Sequence, residues 1–162
     1  MSISNDLFKE LMKRFAAGVT LVTFSENEKF GGLTVSSFCS LSMNPPLVLI
    51  CIDKKVASHQ SLINGDHFGV NICSSEQGKL AWDFASSKIN KDELIRSLPH
   101  TTTDSGTPLL DNALASMDCK ITEKYEGGDH TIFVGLIKEG KFDKNAEPLV
   151  YYSSGLGEFK TN

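Results

Sequence analysis

The segment Leu47–Asp53, LVLICID, constrains this chain more than any other. It is an uninterrupted apolar run with no helical period, closed on one side by Asn44-Pro45-Pro46 and on the other by Lys54-Lys55. Consecutive prolines remove two ladder donors, so no strand runs through them into this one. An unbroken apolar run of this length predicts a strand buried on both faces, which requires a layer of structure on each side. A chain of 162 residues can supply those layers within one domain. No internal repeat or composition break divides residues 1–162.

The flanking sequence predicts which layers are available. Leu7, Phe8, Leu11, Met12 and Phe15 recur at helical spacing behind a Ser4 or Asn5 cap, giving an amphipathic helix ended by Gly18. GVTLVTFS follows as a strand, residues 26–29 as a polar turn, and residues 30–43 as one hydroxyl-rich extended segment opened by Gly31-Gly32. Beyond LVLICID come a short helix over residues 57–64, the strand FGVNIC, and a helix over residues 76–85 with Leu80, Ala81 and Phe84 on one face. Residues 88–98 hold another short helix, and TTTDSGTP reads as loop. MDCKITEKY and HTIFVGLIKEGKF alternate on either side of EGGD as a long hairpin, and LVYYS is a last short strand. Six or seven strands and about three marginal helices that do not alternate argue against a doubly wound parallel sheet. The pattern predicts a mainly β fold, an antiparallel barrel with peripheral α-helices.

Composition excludes several functions. With 20 acidic against 16 basic residues the formal charge is −4, which disfavours a general nucleic-acid surface; an anionic ligand would need a local positive pocket. Charges interrupt the apolar residues near the start, so no secretory signal is read there. The longest apolar run, residues 47–52, is far short of the about 20 that span a bilayer. Cys39, Cys51, Cys73 and Cys119 form no CxxC pair and no zinc-ligand spacing. The expectation is a cytoplasmic protein with reduced thiols, no metal and no membrane contact.

Three constellations are candidates for chemistry. Thr34, Val35, Ser36, Ser37 and Ser40 either bring hydroxyls and backbone N–H groups to a flat polar ligand or form a solvent-facing edge strand. Asp53, Lys54, Lys55, Ser58 and His59 either clamp a phosphate at a helix start or form a solvated turn. His130, after Gly127-Gly128-Asp129, either supplies a hydrogen bond or proton at a hairpin mouth or decorates a turn. Trp82 and Phe84 either stack on a planar ligand or pack in the core, and Trp82 is read as core. No nucleophile elbow or catalytic triad is present, and no G-x-G-x-x-G follows a strand.

Together, FAAGVTLVT, GGLTVSSFCSLSMNPPLVLICIDKKVASH, FGVNI, LAWDFA, GGDH and PLVYY resemble the short-chain flavin reductases, FMN-binding split-barrel proteins. The resemblance implies an antiparallel split β-barrel and a homodimer with the flavin pocket at its interface. It also implies hydride transfer from NAD(P)H to FMN or FAD, often to supply reduced flavin to a separate monooxygenase. By position it assigns Thr34, Val35, Ser36, Ser37 and Ser40 to the isoalloxazine and ribityl chain, and Cys51, Ile52, Asp53 and Lys54 to the flavin edge. Lys54, Ser58 and His59 would surround the phosphate, and Phe84 and Ala85 would close over that end. His130 would lie where the nicotinamide docks, as the catalytic orienting group, with Tyr152 a late contact. A flavoprotein that keeps its FMN and passes electrons onward, or a flavin-binding module without activity, would carry the same pattern. The chain departs from the family pattern at Ser153-Ser154-Gly155-Leu156-Gly157, where an aromatic is expected, and over residues 86–108.

Overall fold

The computed structural model describes residues 2–159. Helix α1 (Asn5–Met12) starts at Ser4, whose Oγ accepts the Leu7 N–H at 3.2 Å, and stops well before Gly18. Strand β1 (Ala17–Gly18) leads into the hairpin of β2 (Thr20–Glu26) and β3 (Lys29–Val35), turned by Asn27 and Glu28 at φ 50° and 62°. After β4 (Phe38–Ser42) and β5 (Leu47–Asp53) come α2 (Ser58–Asn64) and β6 (His67–Ile72). A 3-10 turn, Ser75–Gln77, enters α3 (Gly78–Ala85), followed by α4 (Lys91–Ser97). The remaining strands are β7 (His100–Thr102), β8 (Pro108–Leu110), β9 (Ala115–Gly127), β10 (His130–Phe142), β11 (Leu149–Tyr152) and β12 (Gly155–Glu158).

Seven strands pair antiparallel in the order β3-β2-β6-β9-β10-β5-β4, with β1-β11-β12 as a second, three-stranded sheet. The outermost strands β3 and β4 do not pair, yet only Ser36 and Ser37 separate them in sequence. Two linking residues span at most about 11 Å between Val35 and Phe38, so the two sheet edges lie side by side. On the β4 side, the Cys51 N–H donates to the Ser37 carbonyl at 3.0 Å, extending the β4–β5 ladder into the bend. The result is a mainly β, antiparallel split barrel: curled, not closed, with α3 and α4 outside and α2 set against the inner cluster through Leu62.

Residues 30–43 therefore form two strands on opposite edges instead of one segment, broken at the Ser36-Ser37 bend. β5 is not buried on both faces. Val48, Ile50 and Ile52 are buried, while Leu47, Leu49, Cys51 and Asp53 are half-buried. The doubly buried strands are β2, where Thr20, Leu21, Val22, Thr23 and Phe24 are all buried, and β6, where Phe68, Gly69, Val70 and Asn71 are. Val22 and Phe24 of β2 pack inside the curl with Phe68, Ile50 and Phe133, and Leu21 packs outside with Phe84, Ile95 and Leu149. Hydroxyls survive there because each has a partner: Thr20 Oγ1 donates to the Val35 carbonyl and Thr23 Oγ1 to the Pro108 carbonyl, both at 2.6 Å.

That second bond exposes another difference. TTTDSGTP is loop only over residues 103–107; its ends belong to strands β7 and β8, which pair as a hairpin turning through Gly106 at φ +84°. The hairpin covers the outer face of β2, β6 and β9. Leu110 N–H donates to Asn71 Oδ1 at 2.7 Å, and buried Asp118 accepts from Ser105 Oγ at 3.2 Å while meeting His67 Nδ1 at 3.0 Å. Polar residues that read as loop in sequence are here satisfied by buried polar groups of the sheet.

Candidate functional site

Beside α3 the outer layer leaves a cavity of about 200 Å³, lined by Val19, Thr34, Ser36, Ala81, Trp82, Ala85, Tyr151 and Leu156. Its shape follows from how α3 is seated. Thr34 Oγ1 donates to the Ala81 carbonyl at 2.5 Å, pinning the helix to β3. Gly32, also on β3, admits the Phe84 ring: a Cβ there would stand 2.6 Å from Phe84 Cε1. With Phe84 and Ala81 drawn into the core, the helical period turns Trp82 and Ala85 to the cavity. Trp82 is 57% exposed, so the ring read as core is cavity wall. From the opposite side β11 supplies Tyr151 and β12 supplies Leu156.

The Ser36-Ser37 bend links this cavity to the end of β5, since Ser36 lines the cavity and the Ser37 carbonyl holds Cys51 N–H. There β5 pairs with β10, setting His130 opposite Asp53 and Thr131 opposite Ile52. His130 Nδ1 meets Asp129 Oδ1 at 2.8 Å, and His59 Nε2 meets buried Thr131 Oγ1 at 2.9 Å. Lys54 ties the next turn to the β9–β10 hairpin. Its N–H donates to the Asp129 carbonyl at 3.0 Å, and its Nζ donates to the Gly128 carbonyl at 2.8 Å and to the Glu126 carboxylate. The hydrogen bond and charge of Lys54 hold the Glu126 carboxyl below the usual carboxylate range, as those of His130 do for Asp129. Cys51 is pushed the other way, its thiol raised by burial and by neighbouring Cys39.

The model of the flavin reductase like domain matches residues 12–160. The chain belongs to the flavin reductase like domain family. It is 34% identical to the reductase component of the 4-nitrophenol 4-monooxygenase/4-nitrocatechol 2-monooxygenase of Rhodococcus opacus, over 94% of this chain and 80% of that protein. The NADH:FAD oxidoreductase of Streptomyces globisporus C-1027, solved in complex with NAD and FAD fragments, superposes with a TM-score of 0.89 at 30% identity, covering 99% of this chain and 98% of that one. The flavin reductase component of a bacterial two-component tryptophan halogenase superposes at 0.90, again 30% identical, over 98% of this chain and all of that one.

In this flavin reductase like domain the candidate residues divide by strand parity. Thr34 and Ser36 line the cavity, whereas Val35, one residue between them, is buried in the core. Ile52 is likewise core, so it and Val35 offer a ligand only backbone. Tyr152 is exposed and its neighbour Tyr151 lines the cavity. Phe84 is core, with Ala85 and Trp82 at the cavity. Ser40 is exposed on the edge strand β4. Ser58 lines a separate hollow of about 350 Å³ with Phe24, Glu26, Asn27, Lys29 and Ser61, a lining that does not include Lys54. His59, next to it, faces Thr131.

Sequence reasoning missed Trp82 and Tyr151 as cavity residues; pairing Trp82 with Ala85 at i, i+3 was the available signal for the first. The donor set fits a flavin. Two aromatic side chains, two hydroxyls and the backbone of a bend suit a flat ring with a polar edge, and the cavity takes part of such a molecule. Among the described residues no cluster of His, Cys, Asp and Glu could hold a metal ion, and no helix is long and apolar enough to cross a membrane.

Proposed function

We propose that this chain is an NAD(P)H:flavin oxidoreductase that reduces FMN or FAD and releases it to a separate oxygenase. One observation carries the reading: in a chain of this family, the Ser36-Ser37 bend joins an aromatic, hydroxyl-lined cavity to the strand ends that hold His130. The flavin, when bound, supplies the redox chemistry, taking up the hydride that leaves C4 of the reduced nicotinamide.

The protein's part is binding and orientation. Thr34 and Ser36 present hydroxyls, and Trp82 and Tyr151 present ring faces that exclude water. Cys51 and Asp53 stand half-buried at the end of β5, beside the bend. His130 is the orienting group for the nicotinamide: Asp129 occupies its Nδ1, leaving Nε2 without a partner among the described residues. The outward Nε2 accepts a hydrogen bond in the neutral ring and donates one in the imidazolium. Similarity to reductase components of two-component monooxygenases supports transfer of the product to an oxygenase. A homodimer in the cytoplasm completes the proposal. Leu7, Phe8, Leu11, Met12 and Phe15 are all exposed, an apolar face that a second copy would cover. Light scattering giving a monomer mass at micromolar concentration would remove that part.

The test is anaerobic titration of the purified protein with FMN, FAD and riboflavin, then NADH and NADPH, followed at the flavin absorbance. Bleaching at catalytic protein concentration is the expected result. Bound flavin that neither nicotinamide reduces makes this a binding module, and flavin kept through dialysis with slow turnover makes it an electron carrier. His130→Ala is expected to lower kcat with flavin affinity retained.

A further inference from the structure

Lys54 and His59, which the resemblance places at a phosphate, are both turned by the fold toward the strand that carries His130. Lys54 crosses to the β9–β10 turn with three bonds. Its N–H donates to the Asp129 carbonyl at 3.0 Å, and its Nζ donates to the Gly128 carbonyl at 2.8 Å and to the Glu126 carboxylate. His59 Nε2 meets Thr131 Oγ1 at 2.9 Å, one residue beyond His130. The chain is therefore held on both sides of His130 by the turn and the helix that follow β5.

The turn has little else to fix it. Gly128 sits at φ +71°, and a Cβ there would find nothing within 4 Å, so neither steric contact nor a side chain restrains it. Residues 122–127 of β9 are all exposed, so core packing does not reach this end of the hairpin from that strand. Asp129 in turn orients the imidazole, its Oδ1 meeting His130 Nδ1 at 2.8 Å. A shift of the Gly128–Asp129 peptide moves that carboxylate, and the ring moves with it. We propose that Lys54 is a positioning residue for hydride transfer: its amine fixes the Gly128–Asp129 peptide and, through Asp129, the outward Nε2 of His130. This role rests on the reading of His130 as the group that orients the nicotinamide, and it gives Lys54 an effect on rate in place of one on flavin-phosphate affinity.

The full chain is compared with Lys54→Met, Lys54→Arg, His130→Ala and the double variant Lys54→Met/His130→Ala. Anaerobic stopped flow reads hydride transfer to FMN and to riboflavin at saturating NADH or NADPH, whichever reduces the flavin. Lys54→Met is expected to slow transfer about 5- to 20-fold with either flavin, less than the about 100-fold that a 1 Å misplacement can cost. Affinity for both flavins should change less than about twofold, and Tm should hold, because an exposed ion pair adds little stability. Lys54→Arg keeps a donor for Gly128 and a charge for Glu126, and should recover most of the rate. In the His130→Ala background Lys54→Met should cost nothing further, since the ring it positions is gone. In the flavin-free protein the His130 ring-proton resonance, identified by its loss in His130→Ala, should shift or broaden in Lys54→Met and return in Lys54→Arg. If Lys54→Met fails to fold, Glu126→Ala, which removes only the carboxylate that holds the amine, must show a smaller loss with the same dependence on His130. Equal slowing with and without His130, an unmoved His130 resonance, or selective loss of FMN over riboflavin affinity would each overturn the assignment and leave the reductase reading intact. Wild-type transfer rates in His130→Ala would remove the nicotinamide role of His130 and this one together. A wild type without turnover removes the reductase reading as well.

Discussion

Adding one methyl group at Gly32 tests how the cavity wall is held. In Gly32→Ala the new Cβ would lie 2.6 Å from Phe84 Cε1 and 3.0 Å from the Val22 carbonyl oxygen. Phe84 is only 2% exposed, so its ring has no vacant space to enter, and the contact is relieved by moving α3 off the sheet. Overpacking of this kind costs about 1–3 kcal/mol, offset by about 0.4–1 kcal/mol from the less flexible unfolded chain. The net loss is about 1.5 kcal/mol, which for a chain of this length lowers Tm by about 5 °C. Urea unfolding measures the first and calorimetry the second. Flavin affinity should fall with stability, because the same helix carries Ala81, Trp82 and Ala85. Phe84→Leu shortens the ring side chain, so the two substitutions together should cost about 1 kcal/mol less than their sum. Strictly additive costs, or a Gly32→Ala protein as stable as the wild type with unchanged flavin binding, would refute this account of the wall.

Trp82→Ala should weaken flavin binding by about 3- to 10-fold, the value of one aromatic stacking contact. The ring is mostly exposed, so Tm should stay nearly constant and Trp82→Phe should restore binding; unchanged affinity in Trp82→Ala would take the ring out of the site. The thiols give a pH prediction. Burial pushes Cys73 and Cys119 up to about 12, against an ordinary 9.0. The folded state therefore keeps both thiols neutral where the unfolded chain ionises, so stability is full below about pH 9 and declines as pH rises from there toward 12. A disulfide reagent at pH 8 should label exposed Cys39 first, half-buried Cys51 more slowly, and Cys73 and Cys119 only in denaturant; rapid labelling of all four would contradict the burial.

Much of the fold could be read from local signals. The β2–β3 turn, the α2 and β6 boundaries and the long β9–β10 hairpin depend on turn residues and two-residue alternation, both local properties of the chain. Burial was less legible. LVLICID is the most apolar strand, yet β2, with two threonines, is enclosed on both faces where LVLICID is not, because distant carbonyls at Val35 and Pro108 satisfy its hydroxyls. TTTDSGTP hid a hairpin for the same reason: Asn71 and Asp118, the residues that hold it, lie on other strands. The site showed a one-residue ambiguity at each element. Thr34 and Ser36 were separable from Val35 by parity, but whether Tyr151 or Tyr152, Trp82 or Phe84, faced the cavity depended on which side of the element met the sheet.

The sequence alone determined the type of most elements, the mainly β fold, and the family, since local conformational preferences and motif order are written along the chain. Only the tertiary structure decided which charges remain available. Lys54 and Lys91 look alike in sequence. One meets Glu126 across 72 positions, and the other meets only backbone carbonyls at the end of α3. Coulomb attraction depends on distance in space, and the fold of the barrel sets that distance.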